Sequence, residues 1–155
     1  MAKPRQSQRL AEAVLEVAQL VTRLVAPAVR RRQPRQLSLS HMRAMGFLDA
    51  NPGATLSEVA AYVGLRLPST STLVDGLARR GLVARRAAAG DRRRLRLRVT
   101  AAGKGALRIA RAAAQAALDA QLAGLAAGDR ARIGRALARL RPLLIRTQGP
   151  PRRRS

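Results

Sequence analysis

The stretch GLVARRAAAGDRRRLRLRVTAAGK, from Gly81 to Lys104, is the most informative part of this 155-residue chain. Residues 94–99 alternate strictly between arginines and apolar residues, the period of a half-buried β-strand. The apolar residues are Leu95, Leu97 and Val99, and the arginines are Arg94, Arg96 and Arg98. On the amino-terminal side, Leu82, Ala84 and Arg86 alternate with Val83 and Arg85. With AAAGD (87–91) as its loop, the stretch predicts a β-hairpin wing with one aliphatic face toward the core and one guanidinium face.

The positive charge of this hairpin belongs to a larger excess. The chain has 31 Lys and Arg against 8 Asp and Glu, a formal net charge of +23. Such a chain repels itself unless a polyanion offsets the charge, which makes nucleic acid the first candidate partner and an anionic membrane surface the second. A genome-wide bias toward Arg and Ala explains part of the excess, but it does not explain the clustering.

The composition excludes several other classes of protein. The absence of Cys removes disulfides, thiolate metal sites and thiol redox switches. Phe47 and Tyr62 are the only aromatic residues, so the chain has no stacking platform for unpaired bases. One His and scattered acids leave no acid–base pair, activated nucleophile or metal cluster, so we expect no enzyme, no cofactor and no metal.

Localisation follows from the same features. No apolar run approaches the roughly 20 residues that a membrane span needs. The basic, amphipathic N-terminus suits a transit peptide, but Glu12 and Glu16 argue against one. These observations favour a cytoplasmic, nucleoid-associated protein.

Helices are predicted before the hairpin. Apolar residues at four- and three-residue steps predict a helix over 9–30, with Pro27 in its last turn. Ser38 caps a second helix, with His41 at the third position of a capping box. Thr55 and Glu58 form another box, and Gly64 ends that short helix before the helix PSTSTLVDGLARR (68–80). This succession is typical of a helix-turn-helix.

Two helices follow the hairpin. Thr100 caps an Ala-rich helix over 101–125, AAGD (126–129) makes a turn, and the last helix covers 130–146 with Pro142 inside it. We expect residues 1–8 and 148–155 to be disordered basic tails. The fold class is therefore mainly α with a small β-wing.

This order of elements resembles the MarR family of winged helix-turn-helix regulators. The matching stretches are LSEVAAYVGL, STSTLVDGLARRGLVAR and GDRRRLRLRVTAAG, the last of which is similar to the family's Asp-x-Arg wing motif. The resemblance implies a single domain over 9–147. Within it, 37–100 form the winged helix-turn-helix, while 9–30 and 101–146 supply dimerisation helices.

The resemblance also implies a DNA-binding site. Arg93 inserts into the minor groove and Asp91 orients it, although Asp91 also suits a plain turn cap; Arg92 and Arg94 meet phosphates. The remaining implied contacts are Ser69, Thr70, Ser71 and Thr72 on the recognition helix, Arg79 and Arg80 at its end, and Arg85 and Arg86 at the wing base. Capping is the alternative for Ser69. Thr72 and Gly76 stand where the family often has arginine, so we expect weak base discrimination.

The implied function is a homodimeric transcriptional regulator that binds a pseudo-palindromic operator in double-stranded DNA. By resemblance, a small-molecule effector binds between the dimerisation and DNA-binding parts, where His41 is a candidate lining residue as well as a cap. The rival hypothesis is a non-specific architectural, nucleoid-associated protein, which the high charge favours. Membrane binding through the first helix is a third and weaker alternative, because Glu12 and Glu16 lie on its polar face.

Overall fold

The described part of the chain forms six helices and one antiparallel hairpin. The computed structural model describes residues 3–32, 37–88 and 91–145, with side chains except at 3, 4, 88, 91–94 and 145. The elements are α1 (Lys3–Arg32), α2 (Leu39–Ala50), α3 (Leu56–Val63), α4 (Leu67–Arg79), β1 (Val83–Ala88), β2 (Asp91–Val99), α5 (Ala101–Leu122) and α6 (Ala127–Ile145). The predicted fold class, mainly α with a small β-wing, is confirmed.

The described residues divide into two compact units. One unit contains residues 3–32 and 109–124, and the other contains 37–88, 91–108 and 125–145. The second unit holds the helix-turn-helix, the wing and the main hydrophobic core.

Helix α1 is longer than the sequence predicts at both ends. It begins at Lys3, so residues 3–8, expected to be a disordered tail, are helical. It runs through Pro27 to Arg32 instead of ending near residue 30. A proline in the last turns removes only one backbone donor. The three arginines Arg30, Arg31 and Arg32 stabilise the C-terminal end of the helix, because their charge interacts favourably with the negative end of the helix dipole. The expected tail over 148–155 lies outside the described residues.

Two capping boxes set the starts of α2 and α3, as the sequence predicts. The Ser38 side chain accepts from the His41 N–H, and the His41 ring accepts from the Ser38 N–H. Thr55 and Glu58 make the same reciprocal pair, with Thr55 N–H to Glu58 Oε2 at 2.7 Å. These bonds satisfy backbone donors that a helix start would otherwise leave unpaired.

Helices α2, α3 and α4 pack around a core that the wing completes. Met45, Leu48, Val59, Val74 and Leu77 are fully buried in it. Burying a side chain of this size contributes about 2 kcal/mol.

The last two helices differ from the prediction by a few residues. Helix α5 ends at Leu122 instead of 125, and α6 begins at Ala127 and runs through Pro142 to Ile145. Thr100 caps α5 as predicted, because Gly103 N–H donates to its Oγ1 at 3.1 Å. Among the described residues, no helix is long and apolar enough to cross a membrane.

The register of the wing corrects the predicted assignment of its faces. Val83 pairs with Val99, Arg85 with Leu97 and Ala87 with Leu95. Directly paired residues share a face, so Arg85 belongs to the aliphatic face and Ala84 and Arg86 to the arginine face. Leu82 is buried before β1 begins. The aliphatic face is also incompletely covered, since Leu95 is exposed.

The hairpin loop is shorter than the predicted AAAGD. Ala87 and Ala88 belong to β1, Asp91 belongs to β2, and Ala88 pairs with Asp91. The register shifts between Ala87 and Ala88, where the paired residue changes from Leu95 to Asp91. The predicted loop residues 89–90 lie outside the described residues.

Candidate nucleic-acid interface

The turn between α3 and α4 fixes the angle of the predicted recognition helix. Gly64 ends α3 in the left-handed conformation, with φ +77°, which costs a residue without a side chain little. The N–H groups of Gly64 and Leu65 both donate to the carbonyl of Ala60, at 2.9 and 3.2 Å. The chain then re-enters a helix within three residues, as a helix-turn-helix requires.

Helix α4 presents a small polar face to solvent. Ser69, Thr72 and Arg79 are exposed, and Gly76 lies on the same side at helical spacing. Ser69 is the third residue of the helix and Arg66 is its N-cap, so Ser69 is not the cap. Thr72 Oγ1 donates to the Pro68 carbonyl at 3.2 Å and keeps its lone pairs for an outside donor. The face offers two hydroxyls and one guanidinium.

Thr70 does not belong to this face, which corrects the prediction that it contacts DNA. Its side chain is fully buried, and its hydroxyl donates to the Arg66 carbonyl at 3.0 Å. Thr70 precedes Leu73, Val74 and Leu77 by three, four and seven residues, so it falls on the apolar stripe of α4. Ser71, beside it, is half-buried.

The end of α4 brings Arg80 close to His41 of α2. Arg79 is exposed, whereas Arg80 is half-buried at the C-cap before Gly81, which has φ +69°. Burial lowers the pKa of the His41 imidazole, and the charge of Arg80 lowers this pKa further. His41 is therefore a neutral capping residue whose Nδ1 accepts a hydrogen bond, as its predicted capping role requires.

The wing is attached to the loop between α2 and α3. The Gly53 N–H donates to the Leu97 carbonyl, and the Leu97 N–H donates to the Ala54 carbonyl, both at 2.9 Å. Arg96 Nη1 adds a bond to the Gly53 carbonyl at 3.0 Å. The alternation of β2 predicts that Arg96 faces solvent, but its side chain is half-buried and attaches β2 to this loop.

The other strand of the wing is tied to α4 by an ion pair. Arg85 Nη2 donates to Asp75 Oδ1, and both side chains are about one-third exposed, 33% and 38%. Sequence reasoning missed Asp75. The available signal was that Asp75 is the single acid in α4 and is followed ten residues later by an arginine of the wing. Arg86, the next residue, is exposed.

The predicted wing-tip residues are placed only by their backbone. Asp91, Arg92, Arg93 and Arg94 form the first four residues of β2, and their side chains lie outside those that the structure describes. Among the predicted contact residues with described side chains, Ser69, Thr72, Arg79, Arg85 and Arg86 are exposed. Arg85 differs from the others because it is paired with Asp75.

Other site chemistry is limited. Within residues 3–32, 37–88 and 91–145, no three His, Asp or Glu side chains are grouped as a metal site would require. A depression of about 190 Å³ lies beside the α5 start, lined by Leu48, Asp49, Pro52, Arg98, Val99 and Lys104. Lys104 Nζ pairs with Asp49 Oδ1 across it at 3.4 Å.

Known proteins share this architecture. Residues 35–94 match the MarR family. No curated protein matches the chain in sequence. The repressor CouR, solved bound to a 23-mer DNA duplex, is 27% identical with a TM-score of 0.65, covering 90% of this chain and 97% of CouR.

Two further solved structures have the same fold. The Mycobacterium tuberculosis MarR family protein Rv2887, in complex with p-aminosalicylic acid, is 26% identical with a TM-score of 0.67, covering 84% of this chain and 97% of Rv2887. Streptococcus pneumoniae FabT, in complex with DNA, is 24% identical with a TM-score of 0.65, covering 91% of this chain and 99% of FabT. The predicted resemblance is thereby confirmed: residues 35–94 match the MarR family, and the chain has the winged helix fold of that family's regulators.

Proposed function

We propose that this chain is a DNA-binding transcription regulator and not an enzyme. One observation carries the proposal: the helix-turn-helix and the wing lie in one unit, and among their described side chains Ser69, Thr72, Arg79 and Arg86 present exposed hydroxyls and guanidiniums. Hydroxyls and guanidiniums bind phosphates and base edges. The charge of +23 supplies the long-range attraction to duplex DNA. The DNA-bound relatives CouR and FabT support the same function.

In this proposal α4 enters the major groove and the wing enters the minor groove. Ser69, Ser71, Thr72, Arg79 and Arg80 contact DNA from α4 and its end. Arg86, Arg92 and Arg94 contact phosphates. Arg93 inserts into the minor groove, and Asp91 orients it. The narrow minor groove concentrates negative potential, which a planar guanidinium matches. Thr70 is left out because it is buried, and Arg85 because it is paired with Asp75.

A gel shift tests the wing. Arg93→Ala should weaken duplex binding at least ten-fold, since the insertion and its hydrogen bonds are lost. Arg111→Ala, which removes an exposed arginine of α5, controls for the loss of one charge. Equal binding by both variants contradicts the proposed role of Arg93.

The regulator is proposed to act as a homodimer. Helices α1 and α6 each leave large apolar side chains exposed: Leu10, Leu15, Val17 and Leu20 on α1, and Ile133, Leu137, Leu143 and Leu144 on α6. Exposed apolar residues in this number mark an interaction surface. A second copy of the chain would cover them and place two recognition helices about one DNA turn apart, on a pseudo-palindromic operator.

Sedimentation tests the dimer. The wild-type chain should be dimeric at micromolar concentration, and Leu137→Gln should weaken the dimer, whereas Leu95→Gln on the wing should not. A monomeric wild-type chain contradicts the proposal.

A small-molecule effector also belongs to the proposal, and the Rv2887 complex with p-aminosalicylic acid supports it. Addition of that compound should change duplex binding by this chain.

The second candidate function is a non-specific architectural protein. The observation in its favour is that the middle of the exposed α4 face carries Thr72 and Gly76 and no arginine to read guanine. Selection from a random duplex library separates the two functions. A regulator enriches a defined palindrome, and an architectural protein enriches none.

A further inference from the structure

Arg85 lies on the opposite face of the wing from Arg86, Arg96 and Arg98. It pairs with Leu97, which is 2% exposed in the core, so its side chain leaves the strand on the aliphatic face. Its neighbour Arg86 pairs with Arg96 on the other face and is exposed. Adjacent residues of a strand point in opposite directions. Two consecutive arginines therefore have different tasks.

The partner of Arg85 stands within the proposed DNA-contact region of α4. Asp75 follows Thr72 by three residues and precedes Arg79 by four, which puts all three along one side of the helix. An unpaired carboxylate there would repel phosphates. The ion pair with Arg85 neutralises it, so neither charge is left for DNA.

We propose that Arg85 is a positioning residue, which holds the wing at a fixed distance from the recognition helix through Asp75 and does not itself contact DNA. The inference rests on the proposed function and adds a determinant of operator binding to it. A protein that engages two grooves at once needs both elements set before it meets the duplex, because ordering them during binding costs affinity.

The rest of the described wing base explains why this pair matters. Backbone bonds and Arg96 attach β2 to the loop between α2 and α3. Within the described side chains, Arg85 and Asp75 form the ion pair that attaches β1 to α4. Both are about one-third exposed, at 33% and 38%, so the pair adds little to folding stability. Variants at either position should therefore fold.

A charge swap tests the inference. Five variants are compared with the wild type in a gel shift on the most enriched duplex of the selection: Asp75→Arg, Arg85→Asp, the double swap of these two, Arg86→Asp, and Arg86→Asp combined with Asp75→Arg. Each single change at the pair should weaken binding about ten-fold, because it leaves two like charges facing each other. The double swap should return to within about three-fold of the wild type, since the opposite charges meet again. Thermal unfolding confirms that every variant folds.

The outcomes separate the inference from the proposed function. If Arg85 contacted DNA, the double swap would place a carboxylate against a phosphate and would bind no better than Arg85→Asp, which overturns the inference. Binding by Asp75→Arg as tight as by the double swap also overturns it, since the helix arginine alone would then explain the affinity. A wild-type chain that binds no duplex removes the proposed function itself. Adding Asp75→Arg to Arg86→Asp should not restore binding, because Arg86 lies on the other face of the wing and does not pair with residue 75.

Discussion

The guanidinium of Arg96 donates to the carbonyl oxygen of Gly53 across 3.0 Å, although the sequence places Arg96 in a row of outward-facing charges. Gly53 has φ +87° and sits in the loop between α2 and α3, whose next residue, Ala54, bridges to Leu97 of β2. A short β-bridge thus joins the wing to the helix-turn-helix, and the hydrogen bond from Arg96 adds a side-chain contact beside it.

Arg96→Ala should lower the free energy of unfolding by about 1 kcal/mol, since a charge-assisted but partly exposed hydrogen bond is lost. Arg98→Ala is the matched control. It removes an exposed arginine two residues away on the same strand and should stay within about 0.5 kcal/mol of the wild type. Urea unfolding measures both. Equal losses would mean that the bond to Gly53 contributes nothing.

Gly103→Ala should destabilise the chain severely. A Cβ at Gly103 would overlap the Leu82 carbonyl oxygen and stand 2.6 Å from Val99 Cγ1, so α5 must shift away from the wing. Overpacking against backbone costs about 3 kcal/mol. Gly105→Ala, two residues on, meets only Arg108 Nη2 at 3.8 Å and should gain up to about 1 kcal/mol of helix propensity. Thermal unfolding of Gly103→Ala and Gly105→Ala measures both effects. A gain of stability in both variants would contradict the close approach of Gly103 to the Leu82 carbonyl.

The sequence predicted the elements because their signals are local. The capping boxes at Ser38 and Thr55, the left-handed Gly64 and the alternation of Leu95, Leu97 and Val99 each lie within a few residues. Helix ends were predicted less accurately, as α1 shows. Pro27 lacks one backbone donor, yet the helix continues for five further residues to Arg32.

The site was harder to predict because it depends on register and on tertiary partners. Thr70 looked like a surface hydroxyl, yet it falls in line with Leu73 and Leu77 once the helix starts at Leu67. Arg85 looked like one more wing charge, and only the pairing with Leu97 turns it toward Asp75. Alternation gives two faces to each strand, but it does not say which face of β1 meets which face of β2.

Acidification below neutral pH should destabilise the chain through its single histidine. Burial, and then the charge of Arg80, lower the pKa of His41 in the folded state. The unfolded imidazole titrates near 6.5, so between the two values the unfolded chain binds more protons. Stability is therefore complete above pH of about 6.5 and falls as the pH drops through the lowered folded value, where Nδ1 can no longer accept from Ser38 N–H.

His41→Gln isolates this effect, because glutamine can close the same capping box without titrating. Urea midpoints between pH 7 and pH 5.5 should fall for the wild-type chain and stay level for His41→Gln. This range lies above the ordinary pKa of carboxylates, about 4. A parallel decline in both chains would assign the pH dependence to other groups.

Gly76→Arg should make base discrimination by the proposed recognition helix α4 stronger than in the wild-type chain. Gly76 lies on the α4 side that bears Thr72 and Arg79, and a Cβ there meets only His41 Nε2, at 3.8 Å, so a Cβ fits without moving the backbone. An arginine that reads guanine bidentately discriminates by about 1–3 kcal/mol, or roughly ten-fold or more. Gly76→Ala is the control, because it brings the helix propensity, up to about 1 kcal/mol, without a guanidinium.

The measurement is duplex selection with each variant, followed by the ratio of affinities for the enriched and random duplexes. That ratio should rise for Gly76→Arg alone, with guanine appearing at new positions. A rise of the same size for Gly76→Ala would trace the change to helix stiffness, and no rise in either would mean that this side of α4 does not face the bases.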